Sequence, residues 1–343
     1  MQKISIAMAT YNGSRFLQEQ LESLAKQTVL PAELVITDDG STDDTESIIL
    51  AFAKSVSFPV RFIKNNHNMG YRENFIQAAG LCAGDVIAFC DQDDIWLPDK
   101  LEKCTEEFDD PSVVLVYHAA RIVDEKLHTI GQLAIAPPRK YNPANTLSPT
   151  FYGYGFTLVI RRELTGANAR WKGSVDFHTG NDPEAHDQWF FFLASSLGSI
   201  VYLEDELVLY RRHQTTTTQH TGPRGWIHGL KIFLSSDLRL IDYKRRCAEH
   251  RAKVLIDVED LMGHRYHDNA ELAYQGYRKL ASACALRLEM YASYNPFFKL
   301  MTFIQLVMGG AYRPRSEWGA DKRTLIRDFV RGVCWKIRLV NSE

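Results

Sequence analysis

Short apolar runs alternate with helix-like segments from the start of the chain to about residue 90. Their length and composition predict four strands, of which the last is fully apolar: Ile4–Ala9, Glu33–Thr37, Val60–Lys64 and Val86–Cys90. Between them, apolar residues recur at helical spacing in three segments: Ser14–Gln27, Thr42–Lys54 and Arg72–Cys82. Parallel neighbours need crossover connections of about this length. The alternation therefore predicts an α/β fold with a mostly parallel central sheet flanked by helices.

Polar residues follow three of these predicted strands. Thr10-Tyr11-Asn12 follows the first, Asp38-Asp39 the second, and Asp91-Gln92-Asp93-Asp94 the fourth. In open α/β sheets ligands bind beyond the carboxyl ends of the strands. The sequence thus predicts a crevice lined with acidic side chains.

The Asp91-Gln92-Asp93 segment fits a divalent-cation site, because Mg²⁺ and Mn²⁺ take oxygen ligands. The alternative is a structural one, in which Asp94 caps a helix that begins after it. Asp38 and Asp39 fit contacts to a nucleobase or ribose, with capping of the next helix as the alternative. No G-x-G-x-x-G motif follows the first strand, which argues against a dinucleotide dehydrogenase.

Two later segments carry further candidates. Asp187 opens a predicted helix and fits either a general base or a helix-capping residue. Two short strands are predicted at Ile200–Leu203 and Glu206–Tyr210. His213 follows the second of them and fits a metal ligand, a phosphate contact or a structural histidine. The segment 151–156, which contains two glycines and four aromatic residues, fits a substrate-facing surface and core packing equally well.

Six segments, in this order, resemble those of family 2 glycosyltransferases. They are Ile4–Gly13, Ile36–Asp43, Asn68–Tyr71, Asp91–Trp96, His186–Trp189 and Tyr210–His213. The Asp-Gln-Asp-Asp-Ile-Trp block is most similar to that of the rhamnosyltransferase-like bacterial branch. The resemblance spans about residues 4–213. It implies a GT-A fold and inverting transfer of a sugar from a nucleotide diphosphate donor to an acceptor hydroxyl.

The resemblance also implies a role for each site residue. Asp187 would be the general base, and Asp93 and His213 would hold Mn²⁺ or Mg²⁺. The donor would be bound by nine residues: Thr10, Tyr11, Asn12, Asp38, Asp39, Gly70, Asp91, Gln92 and Arg212. One position departs from the family, because many members have Glu-Asp where this chain has His186-Asp187. That departure leaves Asp182 and Glu184 as alternative bases.

Charge divides the chain into two parts at Gly222. Residues 223–343 contain 21 Lys and Arg against 13 Asp and Glu, whereas the preceding residues contain 19 against 29. We therefore expect a catalytic domain at 1–222, with a nucleotide-sugar half at about 1–117 and an acceptor half at about 118–222. Residues 223–343 are expected to form a basic helical region that approaches an anionic or lipid-linked saccharide acceptor. The donor would be a UDP- or dTDP-sugar, and no nucleic-acid partner is expected.

The apolar stretch 297–312 falls short of the roughly 20 residues that a membrane-spanning helix needs. It is expected either to lie in the inner face of a membrane or to pack on protein. No signal-peptide core follows Met1, so a cytoplasmic or peripheral membrane location is expected. A role in bacterial surface polysaccharide synthesis follows from the resemblance. The alternatives are a sugar-phosphate nucleotidyltransferase and a non-catalytic nucleotide-sugar-binding module.

Overall fold

The computed structural model describes residues 2–213, 238–313 and 322–334. Within these residues ten strands form one sheet, in the order β3-β2-β1-β4-β9-β6-β10-β5, with β7 beside β6 and β8 beside β10. The strands are β1 (Ile4–Thr10), β2 (Glu33–Asp38), β3 (Val60–Lys64), β4 (Val86–Cys90), β5 (Ile95–Trp96), β6 (Val113–Val123), β7 (Thr129–Leu133), β8 (Tyr141–Asn142), β9 (Val159–Arg161) and β10 (Ser199–Arg211).

The six strands β1, β2, β3, β4, β6 and β10 all run in one direction. β1 pairs in parallel with β2 and β4, β2 with β3, and β6 with β10. β9 is antiparallel to both β4 and β6, so it joins the two parallel sets without reversing them. Because their carboxyl ends lie at one edge of the sheet, the loops that follow β1, β2, β4 and β10 meet there.

Helices cover both faces of the sheet. They are α1 (Ser14–Ala25), α2 (Thr45–Ala53), α3 (Gly70–Leu81), α4 (Lys100–Glu106), α5 (His186–Leu197), α6 (Leu238–Ile256), α7 (Val258–Met262), α8 (His267–Ala292), α9 (Pro296–Met308) and α10 (Lys322–Arg327), followed by a π-helical segment, Asp328–Cys334. Leu17, Leu21 and Leu101 belong to the buried cluster on one face, and Phe75 and Trp189 to that on the other. The helices thus bury apolar side chains against both faces of the sheet, which gives the predicted α/β fold.

The C-terminal helices share the second of these cores. The Tyr277 ring of α8 packs edge-on against Phe192 of α5, with ring centroids 5.4 Å apart. Arg251 of α6 donates hydrogen bonds to the Glu184 carboxylate, to the Pro149 carbonyl and to the Tyr277 hydroxyl. Removal of one partner of a buried ion pair strongly destabilises a folded protein, because the other charge is left buried and unpaired. The described helices therefore brace the segment that leads into α5.

The structure also refines several predicted boundaries. Ile200–Leu203 and Glu206–Tyr210, expected to be two strands, form the single strand β10, in which register shifts accommodate the intervening acidic residues. The described part of the C-terminal region is helical, as predicted. The proposed boundary at Gly222 lies outside the described residues, and so do residues 223–237, the first part of the region expected to be helical. Among the described residues no helix is both long and apolar enough to span a bilayer.

Candidate active site

A cavity of about 650 Å³ opens at the edge of the sheet where β1, β2, β4 and β10 end. Ten of the residues predicted from the sequence line it: Thr10, Tyr11, Asn12, Asp39, Gly70, Asp91, Gln92, Asp93, Asp187 and His213. The structure thus brings together side chains that are up to 203 positions apart in the sequence. Two predicted residues, Asp38 and Arg212, do not line this cavity.

Gln92 fixes the loop that follows β1. Its side-chain oxygen accepts a hydrogen bond from the Tyr11 N–H at 2.9 Å, and its side-chain nitrogen donates to the Tyr11 carbonyl at 3.1 Å. Gly13 permits this arrangement, because a Cβ there would lie 2.3 Å from the Gln92 oxygen. Both ends of the Gln92 amide are therefore used within the protein. The Tyr11 side chain, by contrast, is half exposed at the cavity.

Asn12 connects the same loop to the one that follows β2. Its backbone has a positive φ of 47°, which asparagine tolerates better than most residues. The Asn12 N–H donates to the Ser41 hydroxyl at 2.8 Å, and the Asn12 side-chain oxygen accepts from the Thr42 N–H at 2.9 Å. The two loops thus hold each other in place at the mouth of the cavity.

The neighbouring carboxylates Asp38 and Asp39 have different roles. Asp38 is fully buried and accepts hydrogen bonds from the Thr10 hydroxyl and from the hydroxyl and N–H of Ser41. The expectation that Asp38 contacts the donor is therefore corrected: it supports the two loops from behind. Asp39 lines the cavity and accepts from the N–H of Gly70 at 2.8 Å, so it holds the start of α3.

Carboxylates also cluster after β4. Oxygen atoms of Asp91, Asp93 and Asp94 lie within 4.8 Å of one another. Burial, together with the negative charges of Asp93 and Asp187, raises the pKa of Asp91 to about 7. Burial and the charges of Asp93 and Asp91 raise the pKa of Asp94 well above its ordinary value. Accumulated negative charge is thus poorly compensated at this end of the cavity.

These residues fit a divalent cation. The Asp94 Oδ2 atom is buried and has no hydrogen-bond partner among the described residues. On the cavity side, His213 Nε2 lies 2.8 Å from Asp93 Oδ2, so an imidazole nitrogen joins the carboxylate oxygens. Carboxylate oxygens suit Mg²⁺ and Mn²⁺, and the imidazole nitrogen supplies one further donor atom. Asp93 and His213 are the pair that the sequence predicted to bind metal.

Arg211, which the sequence analysis did not select, anchors this acidic loop. Its N–H donates to Asp94 Oδ1 at 3.0 Å, and its side chain donates to the Asp93 carbonyl at 3.0 Å and to the Glu19 carboxylate. Arg212 lies instead in a shallow groove beside residues 124–128. The expected donor contact by Arg212 is therefore not supported by its position. Only the fold, by bringing Glu19 to β10, distinguishes the two adjacent arginines.

Asp187 lies at the start of α5 and lines the same cavity as Asp91 and Asp93 of the acidic loop. Burial raises the pKa of the Asp187 carboxyl to about 6. The nearby Arg72 acts in the opposite direction, and its guanidinium bonds to Asp176 at 2.8 Å and to the Pro183 carbonyl. Arg72 therefore ties α3 to the segment that leads into Asp187. Of the alternative bases, Glu184 is held by Arg251, and Asp182 is exposed outside the cavity.

His186 lines the cavity beside Asp187 and is only 5% exposed. Its ring stacks on Phe75 with centroids 4.0 Å apart, and neither ring nitrogen has a hydrogen-bond partner among the described residues. Burial lowers the pKa of the imidazole to about 3, so it is neutral. A buried neutral imidazole with both nitrogens unpaired is costly unless a ligand supplies a partner.

The aromatic segment 151–156 forms part of this wall. Tyr154, Gly155, Phe156 and Tyr210 line the cavity, and the rings of Phe156 and Tyr210 stack with centroids 4.8 Å apart. Beneath them the fully buried Lys100 donates to the Phe156 carbonyl at 2.7 Å. Phe151 packs in the core against Tyr117, so the segment contributes both to the cavity lining and to the core.

Comparison with solved structures identifies the class of fold. TarS of S. aureus, residues 1–349 in complex with UDP-GlcNAc, aligns over 99% of this chain and 95% of its own, with a TM-score of 0.50 and 17% identity. The same protein in complex with UDP gives a TM-score of 0.50 and 15% identity. The fold is GT-A, as predicted.

Comparison of sequences supports the resemblance described above. The model for glycosyl transferase family 2 matches residues 5–167, so the predicted similarity to that family is confirmed over this part of the chain. An uncharacterized glycosyltransferase of Nostoc sp. is 30% identical over 220 residues, which are 62% of this chain and 65% of the relative. The chain thus matches less than two thirds of that relative's length. Chondroitin synthase of Escherichia coli is 38% identical over 167 residues, 48% of this chain and 21% of that protein.

Proposed function

We propose that the protein is an inverting glycosyltransferase that moves one sugar from a nucleotide diphosphate donor to an acceptor hydroxyl. The observation that carries this proposal is the one cavity that Asp187 lines together with Asp91, Asp93 and His213. Inversion in one displacement needs a base on one face of the sugar and a stabilised leaving group on the other. We assign Asp187 of α5 to the first role and the side chains at the ends of β4 and β10 to the second, because the two sets come from different elements.

In the proposed reaction the Asp187 carboxylate takes the proton of the acceptor hydroxyl as that oxygen attacks the anomeric carbon. The bond between this carbon and the diphosphate oxygen breaks, and the nucleoside diphosphate leaves with the bonding electrons. A pKa of about 6 keeps Asp187 ionised at neutral pH while leaving it basic enough to accept a proton. Mn²⁺ or Mg²⁺ held by Asp93 and His213 would neutralise negative charge on the departing diphosphate.

We assign the donor nucleotide to the wall of the cavity that the loops after β1 and β2 form. The half-exposed Tyr11 ring offers a stacking surface for a base, beside the loops that Asp38, Asn12 and Gln92 hold. Asp39 accepts hydrogen bonds within the protein, and carboxylate oxygens have capacity for further ones. A UDP- or dTDP-sugar fits this arrangement. The acceptor we propose is a saccharide or lipid-linked saccharide of a bacterial surface polysaccharide such as O-antigen, capsule or lipopolysaccharide.

The test is a panel of nucleotide sugars, each with Mn²⁺ or Mg²⁺, scored by release of nucleoside diphosphate. One donor should be turned over, and Asp93→Ala should abolish turnover and metal-dependent donor binding while the melting temperature stays the same. Asp260→Ala, which removes an exposed carboxylate of α7, serves as the matched control and should behave as wild type. Full turnover by Asp93→Ala in chelator-treated buffer would refute the metal assignment. Donor binding without any turnover would identify a non-catalytic module instead.

A further inference from the structure

α9 carries its apolar residues on its outer face. Seven of them are between 41% and 82% exposed: Phe297, Phe298, Leu300, Met301, Ile304, Val307 and Met308. The residues that α9 buries are Lys299, Thr302 and Leu306. At 100° per residue the exposed apolar side chains span about half of the helix circumference. This is the reverse of the pattern expected for a helix that faces water.

Local sequence makes this exposed face a stable helical surface. The Asn295 side chain caps the helix by accepting hydrogen bonds from the N–H groups of Phe297 and Phe298 at 3.0 and 3.2 Å, and Pro296 occupies the first turn. Phe303 anchors the helix on its inner side, where its ring lies 5.4 Å from that of Phe329. The exposed face is thus presented by a capped and packed helix.

Most charges near this face are positive, with Glu289 in the last turn of α8 as an exposed exception. Residues 293–313 contain no Asp or Glu, and the Lys279 and Arg313 side chains lie beside Gly310, just after the end of α9. The neighbouring segment 322–334 contains four basic residues and one acid, Asp328. That acid is fully buried in an ion pair with Arg287 at 2.6 Å, so it contributes no exposed negative charge. An apolar face bordered by cations is complementary to anionic lipid.

The helix also lies toward the cavity side of the sheet. α8 begins beside the start of β10, where Asn269 donates to the Leu197 carbonyl at 2.8 Å. The 26 residues of α8 extend about 39 Å, and the helix runs antiparallel to α6. Arg246 of α6 contacts the Gly180 carbonyl, near the loop that Arg72 holds. α9 follows the far end of α8, and it therefore lies at the edge of the sheet where the strands end.

We infer that the exposed face of α9 docks the protein on an anionic lipid bilayer, with the helix lying in the headgroup region and the cavity close to the membrane surface. A second copy of the chain fits this face less well. The helix is about 20 Å long and ~10 Å wide, so the area of its exposed face is far smaller than the ~800 Å² that each partner of a stable complex buries. A flat bilayer, by contrast, accepts a convex apolar half-cylinder. The inference rests on the proposed function only in suggesting a lipid-linked acceptor.

Sedimentation of the full chain with vesicles tests the docking without any catalytic readout. The protein should pellet with vesicles that contain phosphatidylglycerol, more at low than at high salt, and bind phosphatidylcholine vesicles weakly. Ile304→Glu combined with Met308→Glu should reduce the bound fraction by about tenfold or more, because charge replaces the inserted apolar side chains. Ile256→Glu combined with Leu272→Glu places the same two charges on exposed apolar residues of α6 and α8 and should bind as wild type.

Three results would overturn the inference. They are wild-type protein that stays in the supernatant at low salt, equal pelleting of wild type and the double variant, and a dimer in analytical ultracentrifugation that the double variant dissociates. The last result would assign the face of α9 to a protein interface. Transfer to a soluble acceptor should be unchanged in the double variant. Vesicle binding in a chain that turns over no nucleotide sugar would leave the docking established and refute the proposed function alone.

Discussion

The two walls of the cavity differ in how far their polar groups are satisfied. On the wall formed after β1 and β2, the side chains of Asp38, Asn12 and Gln92 all make hydrogen bonds within the protein. On the wall formed by α5 and the end of β4, both nitrogens of His186 and one oxygen of Asp94 have no partner among the described residues. The first wall is therefore pre-organised, and the second holds groups whose partners a ligand can supply.

The difference indicates a division of labour. Pre-organised loops bind a ligand without a large ordering cost, which suits recognition of the constant part of a donor. Groups held in a poorly solvated site have shifted pKa values, which suits proton transfer and charge stabilisation. Changes in the first wall should thus raise KM and lower stability, whereas changes at the ionisable groups of the second, Asp187 above all, should alter kcat or its pH dependence. The predictions below test this separation.

The largest effect is expected for Asp187→Asn. The amide keeps the shape of the side chain but cannot accept the acceptor proton, so kcat should fall by about 10²-fold to 10⁴-fold with donor affinity little changed. Because burial raises the pKa of Asp187, its ionised form is disfavoured in the folded state, and the variant should be at least as stable as wild type above pH 6. Rapid-quench kinetics and calorimetry measure both quantities.

Asp182→Asn is the matched control, because this carboxylate is exposed and outside the cavity. It should retain wild-type kcat. A similar collapse in Asp182→Asn, or only a modest loss in Asp187→Asn, would place the base elsewhere.

The pH dependence should reveal the same group. Asp187 must be ionised to act as a base, and its pKa is raised to about 6 by burial. Below that pH the carboxyl is protonated, so kcat/KM should fall about tenfold per pH unit, and above pH 7 it should reach a plateau. The acidic limb should be absent from the residual activity of Asp187→Asn. A limb of equal slope in that variant would contradict the assignment.

A smaller effect is expected for Asp38→Asn in the pre-organised wall. The amide can accept hydrogen bonds at only one of its two polar atoms, so part of the contact to Ser41 and Thr10 is lost. Stability should fall by about 1–3 kcal/mol and donor KM should rise by about tenfold, with kcat nearly unchanged. Urea denaturation and steady-state kinetics measure these changes. A loss confined to kcat would remove the distinction between the walls.

The first wall is also the part that the sequence predicts best. Its strands are short and joined by single helices, so apolar runs and the polar residues after them locate the carboxyl edge directly. β9 was missed, because it has only three residues and its pairing partners, β4 and β6, precede it by more than 35 positions. The interruption at residues 204–205 suggested two strands, since a bulge cannot be distinguished from a turn without the partner strand.

Prediction of the site residues is limited in the same way, because contacts with distant parts of the chain are not visible in the sequence. Carboxylates were predicted because their position after a strand is a local signal, and the structure collects Asp91, Asp93 and Asp187 in one cavity. Arg211 and Lys100 were missed because their roles depend on the Glu19 carboxylate and the Phe156 carbonyl, which only the fold brings to them. Local chemistry is visible in a sequence, whereas support from distant elements is not.

The smallest predicted effect is that of His186→Met. Methionine is similar in size, fills irregular spaces and has no nitrogen to hydrogen-bond. Removal of two unpaired buried nitrogens offsets the lost stacking on Phe75, so the melting temperature should change little.

If a hydroxyl of the transferred sugar or of the acceptor pairs with the imidazole, KM for that substrate should rise by about threefold to tenfold, the effect of one neutral hydrogen bond. Hydrolysis of the donor without acceptor separates the two: a change there assigns His186 to the donor sugar, and a change only in transfer assigns it to the acceptor. Unchanged KM values in both assays would show that the second wall contains an imidazole that no ligand satisfies, and would confine its function to Asp187 and the acidic loop.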